Sequence, residues 1–393
     1  MTFKFDLSQT MGLAVLVFVL GMWIRNHIPI LKKYFIPSPV IGGLIFSILI
    51  FIGVQTGTFK VTLTNTLQDF FMNVFFCATG FTCSITIIKK SGKQGAILAV
   101  GAVAFCAVQN VVGVFFADMF GINKLLGIAM GSISMSGGVG SGAAFGPILE
   151  KLGADGGTTV GVAAATFGLL MGSLVGGPVA QKLIARYNLK SSGKTEGEDA
   201  LKIQDTLSDK HFFMSVLLVL GATAFGSYIY LALKALTGLT IPYYVGCLFA
   251  GMLFRNVMDS QKWHLNMKEV DLISSVSLNL FLSLALMSLN IAKLVSLAGP
   301  MIAILLIQTV VMMIWAYFVT FRSMGSDYDA AVMAAGHCGV GLGQTPNAIA
   351  NMAAVIEANG PAPNAWFVLP VITVVFINIC NPIIITAFIN FCK

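Results

Sequence analysis

Two short stretches, one in each half of the chain, carry the residue types and spacing that could hold a small solute. Ser134-Met-Ser-Gly-Gly-Val-Gly-Ser-Gly-Ala-Ala ends at Ala144, and Gly336-His-Cys-Gly-Val-Gly-Leu-Gly-Gln-Thr-Pro ends at Pro346. Both contain Gly-Val-Gly-x-Gly, at Gly138 to Gly142 and at Gly339 to Gly343. Glycines at this density break a helix, and they let the backbone itself approach a ligand. Half-helices starting near Ala143 and Thr345 would aim N–H groups and a partial positive charge into the break, where a carboxylate is held. The half-helix ending near Ser134, with unwound carbonyls, offers oxygen and partial negative charge, which suits sodium. The expected solute contacts are Ser136, Gly138, Ser141 and Gly142 from the first tip, with Gly339, Gly341, Gln344 and Thr345 from the second. The expected ion ligands are carbonyls near Ser134 and Cys338, with Asn378 and Asn381.

Other polar residues lie inside apolar runs. The amides Gln109, Asn110 and Gln308 must find partners in hydrocarbon, either on a neighbouring helix or in a site, and both roles stay open. His337 fits a capped structural histidine or a ligand contact. Gly168, Gly172 and Gly176, spaced by four, fit close helix packing. No acidic or basic residue sits securely in the middle of a span. That argues against a proton relay through carboxylates and for a co-bound cation supplying charge. Cys338 beside His337 is the sole candidate for enzyme chemistry, and the chain is not expected to be an enzyme.

The elements that must position these tips are membrane helices. The chain of 393 residues is 57% hydrophobic and 10% charged, and long uncharged apolar runs mean transmembrane spans. The first run, 7–24, has no small-residue cleavage site after it and is expected to be retained. The 7 cysteines form no CxxC pair and fit buried apolar positions. The net charge of +7 sits in short loops. It sets topology there and does not imply nucleic acid.

Ten spans are expected, at roughly 7–24, 38–55, 67–88, 94–117, 156–184, 211–236, 241–256, 270–290, 296–321 and 363–391. Re-entrant hairpins at about 123–152 and 328–358 follow the fourth span of each half. With both termini outside, most of the 23 basic residues fall in cytoplasmic loops. This holds only if each hairpin returns to the side it came from. Residues 186–210, rich in Lys, Glu, Asp, Ser and Gly, read as a mobile cytoplasmic linker between a first repeat, 1–185, and a second, 211–393.

The halves echo each other. Ile36-Pro37-x-x-Val40 matches Ile241-Pro242-x-x-Val245, Gln109 matches Gln308, and the glycine patterns match in the same order. Five spans per half places the second repeat upside down relative to the first. The expected fold is therefore all-α and integral to the membrane: ten transmembrane helices plus two re-entrant hairpins in two inverted five-helix repeats.

At Leu31-Lys-Lys-Tyr-Phe-Ile-Pro-Ser-Pro-Val, Gly131-Ser-Ile-Ser-Met-Ser-Gly-Gly, Ala165-Thr-Phe-Gly-Leu, Gly176-Gly-Pro-Val-Ala, Ala334-Ala-Gly-His-Cys-Gly-Val-Gly-Leu-Gly and Thr345-Pro-x-Ala-Ile-Ala-Asn-Met the chain resembles the bacterial sodium/glutamate symporter family. The resemblance covers nearly the whole chain. It implies uptake of L-glutamate, or a related small carboxylate, coupled to Na+ across the inner membrane by a homodimer. It also implies an elevator-type transporter, with spans 1, 2, 6 and 7 as scaffold and spans 3–5 and 8–10 moving with both hairpins. A sodium-coupled carrier of another di- or tricarboxylate is the nearest alternative. A channel would need a lined pore, often with charged rings, and the spans contain no such ring.

Overall fold

A computed structural model describes residues 2–86, 92–191, 209–238, 241–263, 265–289 and 291–392. Its long helices are α1 (Leu7–His27), α2 (Ser38–Gln55), α3 (Thr66–Phe81) and α4 (Gly92–Met119), then a short α5 (Lys124–Ile128) and α6 (Gly138–Lys151), and α7 (Gly157–Tyr187). The second half runs α8 (Asp209–Thr237), α9 (Tyr243–Ser260), α10 (Met267–Leu286), α11 (Ile291–Ile314), α12 (Tyr328–Leu342), α13 (Thr345–Asn359) and α14 (Pro363–Cys392). Two three-residue strands, β1 (Thr2–Lys4) and β2 (Lys60–Thr62), pair in parallel. Among the described residues, 8 helices are long and apolar enough to cross a membrane. In lipid that is what satisfies the backbone of so apolar a chain. Two expected spans are not among those 8: α3 has 16 residues, and α9 ends in Arg255, Asn256 and Asp259. Residues 192–208 of the expected linker lie outside the described residues.

Local chemistry explains the helix starts. Asp6 caps α1 by accepting from the Gln9 amide at 2.8 Å, and the Gln9 side chain returns the bond to the Asp6 amide at 3.1 Å. Pro37 caps α2 with φ −65° and ψ 140°. Pro242 caps α9 with φ −65° and ψ 144°. Each proline carbonyl accepts from the residue three further on, Val40 at 3.0 Å and Val245 at 3.1 Å. The two Ile-Pro-x-x-Val segments therefore build the same turn.

The helices cluster into two compact units. One comprises residues 1–82, 139–162 and 207–299, and the other 83–138, 163–206 and 300–393. In the first, small residues bring backbones together. Gly42 meets the Val17 carbonyl where α1 crosses α2, and Gly246 meets the Gly226 carbonyl where α8 crosses α9. The resemblance implies that spans 3 and 8 travel apart from spans 1, 2, 6 and 7. In the structure they pack together. Gly80 of α3 lies against Leu248 of α9, and Gly43 of α2 lies against Leu286 of α10. The Ser47 hydroxyl also donates to the Leu286 carbonyl at 2.7 Å. Close contact at these two glycines accounts for the regrouping.

In the second unit, α4, α12 and α14 pack against the segment that joins α5 to α6. Gly168 of α7 lies against the Leu342 carbonyl and Gly176 against Asn351 and Ala335, so the glycine stripe of α7 faces α12 and α13.

Candidate functional site

Both glycine stretches interrupt a helix. In the first, α5 runs into a π turn, Ala129–Ile133, where Gly131 leaves helical geometry at φ −93° and ψ −135°. A Cβ at Gly131 would lie 2.7 Å from Asn110 Oδ1. Residues 134–137 form a turn, and α6 starts at Gly138 with φ +70°, a conformation that suits glycine. The expected start near Ala143 is thus too late by more than a turn. Gly138 itself adopts the left-handed conformation, so the helix begins on it.

In the second stretch, α12 ends at Leu342 and Gly343 turns away at φ −147° and ψ −114°. Gln344 is extended, at φ −146° and ψ 169°, and α13 starts at Thr345. No side chain caps this start, and Pro346 in the first turn contributes no N–H. The arms α12 and α13 pack closely, Gly339 against Ala348 and Gly336 against Met352. Their outer ends adjoin as well. The Tyr328 hydroxyl donates to the Gly360 carbonyl at 2.6 Å, while Asp329 ties α12 to α14 by accepting from the Ala365 amide at 3.0 Å.

One side chain ties the two tips together. Gln109, fully buried in α4, accepts from the Ser136 hydroxyl at 2.6 Å through Oε1. Its Nε2 donates to the Gly341 carbonyl at 2.6 Å. Ser136 Oγ is also 3.5 Å from that carbonyl, and a Cβ at Gly138 would lie 2.8 Å from Gln344 Nε2. Gln308 of α11, the counterpart of Gln109, donates to the Gln109 carbonyl at 2.7 Å. The two equivalent helices are thus joined at Gln109, beside the tips.

Asn110 and Asn381 hold the π turn. The Ser132 amide donates to Asn110 Oδ1 at 2.9 Å, and Asn381 Nδ2 donates to the Ser132 carbonyl at 2.9 Å. Both asparagines and Ser132 are buried. Among the described residues, Ser132 Oγ and Asn381 Oδ1 have no hydrogen-bond partner. Buried polar oxygens ordinarily have one. Neutral hard oxygens in such a place match what an alkali cation takes as ligands.

Of the expected solute residues, Ser136 and Gly341 meet on Gln109, and Gly138 lies against Gln344. Thr345 stands at the start of α13. Gly142 lies against Gly161, within 2.8 Å of its carbonyl carbon for a Cβ, and Gly339 against the Ala348 backbone. Ser141 is half-buried in α6. Of the expected ion ligands, Asn381 reaches Ser132. The Ser134 hydroxyl donates to the Ala129 carbonyl, Asn378 is half-buried, and the Cys338 carbonyl faces Gly172. His337 Nδ1 shares a 2.8 Å hydrogen bond with Thr320 Oγ1, and its ring meets Phe105 edge-on. Among the described residues no cluster of His, Cys, Asp or Glu could hold a metal.

Sequence reasoning did not find Ser132 or the pivotal role of Gln109. A glutamine in an apolar run reads the same whether it bonds a helix or a tip. The serine became visible only once the π turn had fixed its direction.

The pattern that defines the sodium/glutamate symporter family matches residues 3–361. Sodium/glutamate symporters from Escherichia coli K12 and Shigella flexneri are each 36% identical over 391 residues, 98% of this chain and 97% of theirs. One from Haemophilus influenzae is 34% identical over 392 residues, 97% of this chain and 96% of its own. A solved sodium proton antiporter from Methanocaldococcus jannaschii aligns with a TM-score of 0.47 at 15% identity, covering 99% of this chain and 97% of that one.

Proposed function

This chain belongs to the sodium/glutamate symporter family, and from that premise we propose how it binds and moves its cargo. It is a multi-pass inner-membrane carrier that takes up glutamate with sodium as the coupling ion. The observation that carries the site is the joint at Gln109, where a hydroxyl of one glycine tip and a carbonyl of the other meet on one buried amide.

We propose that the glutamate carboxylates lie against the tips. Ser136, Gly138, Gly341, Gln344 and Thr345 would form the near wall. The uncapped start of α13 supplies N–H groups and partial positive charge. Glutamate binds without a buried arginine because sodium enters beside it. Ser132 Oγ and Asn381 Oδ1 are the proposed oxygens for one sodium ion. Backbone carbonyls near Ser134 and Cys338, and the Asn378 amide, belong to the same proposal.

Each tip returns to its own side in this reading. The Tyr328–Gly360 bond supports it for the second. For the first, α3 and α4 each cross once, so α5 begins on the side where α3 began. α6 ends at Glu150 and Lys151, and Glu150 lines a polar cavity with Asn65 and Gln68 at the foot of α3. Counting α3 and α9 as crossings gives ten spans in two inverted repeats, 1–185 and 211–393, joined by the linker 186–210. Transport is by an elevator-type motion, in which the body holding Gln109, Gln308 and the α12–α13 hairpin shifts through the membrane within a homodimer.

Proteoliposomes test the coupling. Labelled glutamate is expected to accumulate with an inward sodium gradient and to stay at equilibrium with potassium in its place. Equal uptake in both would remove sodium. Stronger competition by citrate or malate than by unlabelled glutamate would favour the carboxylate alternative.

A further inference from the structure

On the second unit, away from both tips, a groove of about 390 Å³ runs between α7 and the end of α11. Its floor and walls are apolar: Pro178, Val179, Val310, Met313, Ile314 and Phe318. Two features open it. Pro178 interrupts the hydrogen-bond ladder of α7, and opposite it α11 gives way to a π segment, Trp315–Thr320.

One end of the groove is cationic. Lys182 and Arg186 project from successive turns of α7. Lys182 Nζ lies 5.9 Å from the Tyr317 ring centroid, and Arg186 Nη1 donates to the Tyr317 hydroxyl at 3.3 Å. Arg322 stands 5.6 Å over the Phe318 ring. The Tyr187 and Phe321 rings lie 5.3 Å apart, so the two helices end side by side. Among the described residues no acidic side chain lines the groove. By the distribution of lysine and arginine over the loops, this end faces the cytoplasm.

We propose that this groove binds one acidic phospholipid of the cytoplasmic leaflet. An acyl chain lies along Pro178, Val310 and Met313, and the headgroup phosphate rests on Lys182 and Arg186. Arginine and lysine suit a phosphate, and a basic notch at the membrane surface draws anionic lipid. The apolar floor selects a lipid over a soluble anion, because a free phosphate gains nothing from it.

The test uses purified full-length protein in neutral detergent. Phosphatidylglycerol and phosphatidylcholine with identical acyl chains are added separately, and retained lipid is counted by native mass spectrometry. Phosphatidylglycerol is expected to bind more tightly. The Lys182→Gln/Arg186→Gln double variant should lower its affinity about thirtyfold. Lys182→Arg/Arg186→Lys should retain it, and Val310→Trp, which fills the groove, should weaken it with the charges intact. Lys32→Gln/Lys33→Gln, elsewhere on the chain, should change nothing. Equal retention of the two lipids, an equal loss in the Lys32/Lys33 control, or full displacement by millimolar inorganic phosphate would overturn the assignment.

Discussion

The Ser136 hydroxyl and the Gly341 carbonyl come from opposite halves of the chain and meet on the two ends of one amide, that of Gln109. A carboxamide can do this because it accepts through oxygen and donates through nitrogen at once. Glutamate at the same place could accept from Ser136 but could not donate to Gly341 while ionised. Leucine could do neither.

Gln109→Leu is therefore expected to leave Ser136 and Gly341 unpartnered in a buried place, at about 1–3 kcal/mol for such groups. Glutamate uptake in proteoliposomes should fall about thirtyfold, the rate equivalent of the middle of that range. Gln109→Glu should recover less than half of the loss. Wild-type uptake in Gln109→Leu, at equal reconstituted protein, would show that the joint does not organise the site.

The sodium proposal separates from the glutamate proposal by what is titrated. Ser132→Ala and Asn381→Ala each remove one partnerless oxygen. Each should raise the sodium concentration for half-maximal uptake by about tenfold, the loss of one favourable ion contact. At saturating sodium the glutamate KM should stay near wild type. Asn381→Ala also frees the Ser132 carbonyl, so Ser132→Ala is the cleaner variant. A raised glutamate KM with an unchanged sodium dependence would move these residues to the solute side.

Much of this arrangement is written in local sequence, and part of it is not. The breaks fall where glycine density demands them, and the prolines at 37 and 242 build equal turns from equal words. The start of α6 was displaced because Gly138 tolerates φ +70° and so serves as the first helical residue. Asn381 meets Ser132 rather than Ser134 because the π turn inserts extra chain, which no hydrophobic period reveals. Gly142 and Gly339 read like binding glycines, yet their faces approach Gly161 and Ala348. Close packing and close ligand approach select the same residue, so composition cannot separate them.

Gly138 carries a backbone test. Alanine there must hold φ +70° and place a Cβ 2.8 Å from Gln344 Nε2. The left-handed conformation alone costs about 1–2 kcal/mol for a residue with a Cβ. Gly138→Ala should lower the thermal midpoint of the purified carrier and reduce uptake more than Gly177→Ala does. Gly177 sits inside α7 with open space around it. Equal effects at the two positions would mean that the first tip does not need its left-handed residue.

Tyr328 closes the second hairpin at its far end. Its hydroxyl donates to Gly360, where α13 stops with φ +101°. Tyr328→Phe keeps the ring and removes this bond, so the loss should sit near the membrane-protein average for a side-chain hydrogen bond, about 0.6 kcal/mol, and below about 1.7 kcal/mol. The thermal midpoint should drop slightly, while the sodium dependence and glutamate KM stay as in wild type, because the bond lies at the base of the hairpin and not at its tip. A change in sodium dependence with an unchanged midpoint would mean that the base of the hairpin is coupled to the ion site, and that α12 and α13 do more than carry the tip.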